Sequence, residues 1–357
     1  MRGWLLGLVL LVPDLASAQS RFDTEAAALL QDALVTTADA FILPAYAAQA
    51  EATQDLAAAL EAYCHAGGDI EAVHEGFAAT FLSWQRSSIV SVGPISDAEG
   101  PMRVQLWPDP KGFSTRAIRA ALRAEDPSLL TAGGLQGRSI ALTNLTALET
   151  LIHAPLSPAS YGCDLATAIA AFQADLAEGL VSGWTPGSAY RALYDTAALG
   201  NETYTTVDDL IRDLLAGGVV YVDRLRKFKL LRGLGDAPGS ARPERTEAVA
   251  SGLGLESIQI SFVTLRDLYD IPFGLFDAAP EIGGSMEYIV LSQTAGSIAT
   301  DLTLLDASLA EIAAEDGDTA AMLRNMADVL FYQEQFLKSG FTDAIGLTAG
   351  FTAADGD

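Results

Sequence analysis

Apolar residues recur at three- and four-residue spacing along most of this chain, and strict alternation is almost absent. That period belongs to helices with one buried face, since a strand buries every second residue. The stripe Val207, Leu210, Ile211, Leu214, Tyr221, Val222 and Leu225 is one example. Only residues 258–263 read equally well as a strand. The expected fold class is all-α, with two helical-bundle domains in tandem.

Turn residues divide the pattern into elements. Residues 24–65 are rich in Ala, Leu and Glu, and Pro44 is expected to kink or split them because it lacks an N–H. Gly67-Gly68 closes this segment, and Asp69 can cap a helix running to about Val90. The Pro-rich stretch 93–111 reads as a structured loop, followed by helices at 114–124, 145–153 and 164–181. Gly183-Trp184-Thr185-Pro186-Gly187 marks the expected boundary, giving one bundle over 19–185 and a second over 200–357. Gly217-Gly218 is expected to interrupt the next helix and to let another backbone approach. After a loop at 236–245, helices are expected at 246–269, 286–314 and 319–338. In the last, Met322, Met326, Val329, Gln333 and Phe336 are expected to line one face.

Met1-Arg2, an apolar run over 4–12 and Ala16-Ser17-Ala18 have the form of an export leader cleaved after Ala18. The run is shorter than the roughly 20 residues a spanning helix needs. No later stretch is expected to cross a membrane, and periplasmic localisation is the expectation. No Cys follows the leader, so a lipid anchor is not expected. In an oxidising compartment Cys64 and Cys163 are expected to form a disulfide, two buried free thiols being the alternative. The formal net charge of −25 repels nucleic acid and anionic lipid, which excludes both as partners.

Catalytic motifs fail on inspection. His74-Glu75 begins a zinc-protease pattern, but its fifth position is Ala78. No Gly-x-Ser-x-Gly elbow exists, and Gly252-x-Gly254 has no preceding strand. Trp107 and Asp109 can wall a pocket in which Arg103 or Arg116 faces an anionic group. The alternative is that Trp107 simply packs as a lid on the first bundle.

A set of short stretches, in order, carries a family resemblance. They are Ile42-Leu43-Pro44-Ala45-Tyr46 with the Ala-rich run to Cys64, the Trp84 helix leading into Gly93-Pro94, and Leu106-Trp107-Pro108-Asp109 with Lys111-Gly112-Phe113. Leu145-Thr146-Ala147-Leu148-Glu149, Tyr161-Gly162-Cys163, Glu247 with Ser251-Gly252, and the final Gly350-Phe351-Thr352-Ala353 follow. Together they resemble the imelysin family, in its branch of periplasmic or lipid-anchored proteins, over nearly the whole mature chain. The resemblance implies two helical bundles, export, a link to iron uptake or iron-regulated expression, and a peptidase label. It also implies iron or another divalent metal as cofactor, and periplasmic or outer-membrane iron-uptake proteins as partners.

The family signature, Gly-x-His-x-x-Glu on a helix, lets an imidazole and a carboxylate share one metal ion. Here Asn144 replaces the Gly, Thr146 replaces the His, and Glu149 is kept. His153, four residues beyond Glu149, can form a substitute pair with it, or can merely end the helix. Glu149 can equally be a structural carboxylate held by Arg86 or Arg103, which would lower its pKa. Asp355 and Asp357 could join a cation site. The sequence thus points to a non-catalytic periplasmic component of iron or metal acquisition, binding an ion, a chelate or a partner protein. The competing classes are a partner-binding assembly factor with a vestigial metal motif, and a metallopeptidase, which the missing His disfavours.

Overall fold

The computed structural model describes residues 20–96, 100–270, 287–340 and 347. Asp23 caps the first helix, α1 (Thr24–Thr37), accepting from the Ala26 N–H. The chain then passes through a π-helical turn, Ala38–Ile42, straight into α2 (Leu43–His65). Pro44 therefore does not split the segment. Leu43 N bonds Ala38 O five residues back, and in this wider turn the missing donor and the ring of Pro44 are accommodated. By length and composition Thr24–His65 could span a membrane, which the sequence reading allowed of nothing beyond the leader. In the fold it contributes core residues, among them Leu30, Phe41, Tyr46, Leu56 and Leu60.

Asp69 caps α3 (Ile70–Ser87) as expected. α2 packs against both α3 and α6 (Tyr161–Trp184). Cys64 at the end of α2 is bonded to Cys163 at the start of α6, with Cα atoms 5.7 Å apart. Between them lie α4 (Phe113–Ala124) and α5 (Leu145–Ile152). The 93–111 stretch holds a short turn, Gly93–Ser96, and a short helix, Gly100–Val104.

In the second half, α7 (Val207–Arg224) continues unbroken through Gly217-Gly218, against expectation. The close approach is present, for a Cβ on Gly217 would overlap the Ser91 hydroxyl. A second π turn, Leu225–Leu230, follows. α8 (Gly254–Leu268) starts later than expected because residues 246–253 form turns, and the ambiguous 258–263 run is helical. The expected 286–314 helix is α9 (Glu287–Leu302) plus a separate Leu309–Glu315, opened by a Ser308/Glu311 capping box. α10 (Asp318–Gln335) buries Leu323, Met326, Ala327, Leu330 and Gln333, while Met322 is exposed. Helix α8 packs on α9 and on α3, and buried apolar residues from Ala27 to Leu347 form one cluster. Among the described residues there is no strand.

Candidate functional site

Asn144 opens α5 as its N-cap, its Oδ1 accepting from Thr146 N at 2.8 Å and Ala147 N at 3.1 Å. A glycine there would leave those donors without this side-chain acceptor. Thr146 is half-buried, and its hydroxyl donates to Leu106 O at 3.2 Å, fastening the Trp107 loop to α5. One turn on, Glu149 Oε1 accepts from Ser251 N at 3.0 Å and from Ser251 Oγ at 2.7 Å. Burial pushes the Glu149 carboxyl above its usual range. The hydrogen bonds from Ser251 and Ala250 oppose that shift, and the nearby charge of Glu247 adds to it.

This corrects one expectation. Glu149 is held by Ser251 and not by an arginine, and its pKa rises. Arg86 instead pairs with Asp267 at 2.6 Å and lies over the Phe41 ring. The Arg103 carbonyl accepts from Gln173 Nε2 at 3.0 Å. His153 is the C-cap of α5, its N–H bonding Glu149 O, as the helix-ending alternative described. Its ring stacks on His74 with centroids 4.6 Å apart and meets Phe77 edge-on. Burial first, and then the charge of His74, push its pKa down.

Asp109 caps α4, one carboxylate oxygen accepting from Phe113 N and the other from Ser114 N, each at 2.8 Å. Arg116 sits over the Phe113 ring and bonds Lys111 O. Trp107, Asp109, Thr146 and Glu149 do come together, lining one cleft of about 520 Å³ with Arg232 and Arg245 from the second half.

Behind the cleft lies a network of which the sequence singled out Glu247 and Trp84 but not Lys229, Gln105 or Ser257. Lys229, on the second π turn, is buried and donates to Gln85 Oε1 and Ser257 Oγ, both at 2.5 Å. Its ammonium lies 3.1 Å from Glu247 Oε2. Glu247 also accepts from Gln105 Nε2 at 2.8 Å and Ser257 Oγ at 2.6 Å. Gln105 Oε1 in turn accepts from Trp84 Nε1 at 2.9 Å. Burial alone would raise the Glu247 carboxyl, but Lys229 and Arg224 together hold it below its usual range. Burial pushes Lys229 down to about 8 against the pull of Glu247. The available signal was Lys229 itself, a charge among Phe228, Leu230 and Leu231.

The donor set does not fit the metal that the resemblance implies. Among the described residues no three His, Cys, Asp or Glu side chains gather as a ligand set. Glu149 Oε1 accepts both Ser251 donors and a lysine already neutralises Glu247, while the His153 ring stacks on His74 with its buried Nε2 unpaired among the described residues. Asp355 and Asp357 lie outside the described residues.

An all-helical chain in which a Glu-bearing signature helix faces a Glu247–Ser251 turn belongs to the imelysin class of helical proteins. The imelysin family model matches residues 42–330, and the chain is a member of that family. No curated protein matches it. The crystal structure of an imelysin-like protein from Psychrobacter arcticum 273-4 superposes with a TM-score of 0.74 at 19% identity, over 92% of this chain and 98% of that one. An iron-regulated protein A precursor from Parabacteroides distasonis ATCC 8503 gives a TM-score of 0.71 at 12% identity, over 90% of this chain and 100% of that one. Identities this low show a shared fold.

Proposed function

We propose that this protein is a non-catalytic, exported imelysin that serves iron acquisition in the periplasm. Its cleft between α5 and the 244–250 segment takes a chelate or a partner group and not a bare ion. The observation that carries this reading is the commitment of the signature helix to internal bonds: Glu149 to Ser251 and Thr146 to Leu106 O. A carboxylate that accepts two bonds on one oxygen, beside a hydroxyl in place of imidazole, is a poor start for a metal centre. The disulfide supports export, since such bonds persist in oxidising compartments. The name of the Parabacteroides neighbour, an iron-regulated protein precursor, supports both export and the link to iron.

The test has two arms. A strain lacking the gene is grown under iron limitation and complemented with wild type or with Trp107→Ala. Purified protein is titrated with Fe(II), Fe(III), Zn(II) and Cu(II). The expected result is a growth defect restored by wild type only, with weak binding of bare ions. Stoichiometric metal binding lost in Glu149→Ala would overturn the non-metal reading, and unimpaired growth of the deletion strain would overturn the role in iron acquisition.

A further inference from the structure

Five charged side chains line the cleft: Asp109, Glu149, Arg232, Glu244 and Arg245. Two of the three carboxylates are already committed. Both oxygens of Asp109 cap α4, and Glu149 Oε1 takes both donors of Ser251. Arg232 and Arg245 make no side-chain hydrogen bond or ion pair among the described residues, although the chain has 46 Asp and Glu against 21 Lys and Arg. Arg232 is half-buried and Arg245 exposed, so two guanidiniums without an internal partner sit together at the cleft, open to a ligand. Thr146, Thr150 and Thr246 donate their hydroxyl protons to backbone carbonyls, so each turns only acceptor capacity toward the cleft. The guanidiniums are therefore the strongest donors available to anything that enters.

We propose that Arg232 and Arg245 make this cleft a binding site for a small oxygen-rich anion, a polycarboxylate or a carboxylate-bearing chelate. Guanidinium matches carboxylate geometry through paired N–H donors, and each such contact is stronger than a neutral hydrogen bond. The cavity volume of about 520 Å³ lies within the roughly 300–1,000 Å³ typical of small-molecule sites. Trp107 supplies an aromatic wall. Glu244 is exposed and makes no ion pair among the described residues, and its negative charge sets a limit on affinity by repelling an entering anion. The inference rests on the cleft assigned above and deepens it by naming the ligand class. Its test measures binding alone, so it can fail without the iron role failing, and the reverse.

Metal-free citrate, ferric citrate and inorganic phosphate are titrated into the full chain, read by calorimetry and by Trp107 fluorescence. Trp84 and Trp184 are fully buried and serve as a constant background, and Trp4 in the leader is removed by Trp4→Phe. The expected result is saturable binding of metal-free citrate at one site per chain. Arg232→Gln and Arg245→Gln should each weaken it by about tenfold, the equivalent of losing one charge-assisted contact. Glu244→Gln should tighten it. The arginine variants should keep the wild-type Tm, because neither side chain has an internal partner to lose. Phosphate should bind more weakly than citrate, since it reaches fewer donors. Binding of ferric citrate without metal-free citrate, unchanged in both arginine variants, would overturn the proposal, because iron and not the carboxylates would then be what is recognised. Citrate binding unchanged in both arginine variants, or phosphate binding tighter than citrate, would overturn it as well.

Discussion

Glu149 and Ser251 are joined twice through one oxygen: Oε1 accepts the Ser251 N–H at 3.0 Å and its hydroxyl at 2.7 Å. The two residues are 102 positions apart in sequence, so this contact ties the signature helix to the turn that carries Glu247. The carboxylate that the family pattern places at a metal is a clasp between the two halves of this chain.

Removing the clasp should cost stability. Ser251→Ala deletes one of the two donors to a withdrawn carboxylate, and the expected loss is about 1–3 kcal/mol. Urea unfolding of wild type and variant measures it. A difference inside the surface-mutation range of about 0.5 kcal/mol would show that the contact contributes nothing.

The pH dependence carries two opposite signatures. The folded pKa of Glu149 lies above the ordinary 4.5, so between that value and the folded one the native state holds the extra proton. Stability from this group therefore falls as pH rises through that window. Glu247 is depressed, so its contribution is present above the ordinary 4.5 and is lost as pH falls through its folded value. Glu149→Gln should abolish the first slope and leave the second. Urea midpoints collected from acid to neutral pH decide this, and an unchanged upper slope in the variant would refute the assignment.

Lys229→Met should be among the most damaging single changes. It leaves Glu247 buried with Arg224 as its remaining positive neighbour, and breaking a buried pair typically costs about 3–5 kcal/mol. Removing both charges in Lys229→Met/Glu247→Leu should recover much of the loss. Thermal melts of the single and double variants test this, and additive losses would argue that the two groups act independently.

Reduction of the disulfide releases a loop of 99 residues. In the chain-entropy model a bridge of that span contributes up to about 4.7 kcal/mol. Cys64→Ser/Cys163→Ser should lower the urea midpoint accordingly, while wild type in strong reductant should match the double variant. Equal midpoints with and without the bridge would contradict this.

Two adjacent glycines should behave oppositely. A Cβ on Gly217 meets the Ser91 hydroxyl and the Ile89 carbonyl, whereas one on Gly218 meets only Leu268 and Leu337 at 3.7 Å. Gly217→Ala should destabilise by about 1–3 kcal/mol through overpacking. Gly218→Ala should be neutral or gain about 0.5–1 kcal/mol from reduced chain entropy. Paired unfolding curves distinguish them.

The helical class was legible because periodicity reports which face is buried, and the bridge because a compartment argument left Cys64 and Cys163 only each other. Trp107, Asp109, Thr146 and Glu149 could be read as one neighbourhood because all four lie within 43 consecutive residues, 107–149. What that neighbourhood faces could not be read. Ser251, Arg232 and Arg245 arrive from the far half of the chain, and a hydroxyl clasp has no spacing rule that a sequence could display. Lys229 was hidden for a related reason: a lysine in an apolar run looks like a helix face until its buried acceptors are known. The error over Glu149 came from assuming that a withdrawn carboxylate needs a cation, when hydrogen bonds from Ser251 and Ala250 serve.

The π turn at Ala38–Ile42 has a consequence for how the first helix tolerates length change. A π turn holds one residue more than an α turn, so the faces of α1 and α2 are already offset by one position across it. Elsewhere in a helix, deleting a residue swings everything downstream by about 100° and would carry Cys64 away from Cys163. Within 38–42 a single deletion closes the turn to α-helical and leaves Leu34 and Tyr46 both facing the core. Pro44 is the one obstacle, since its ring needs the widened turn, so the deletion must be combined with Pro44→Ala. That segment is where this helix can lose a residue and keep both of its partners.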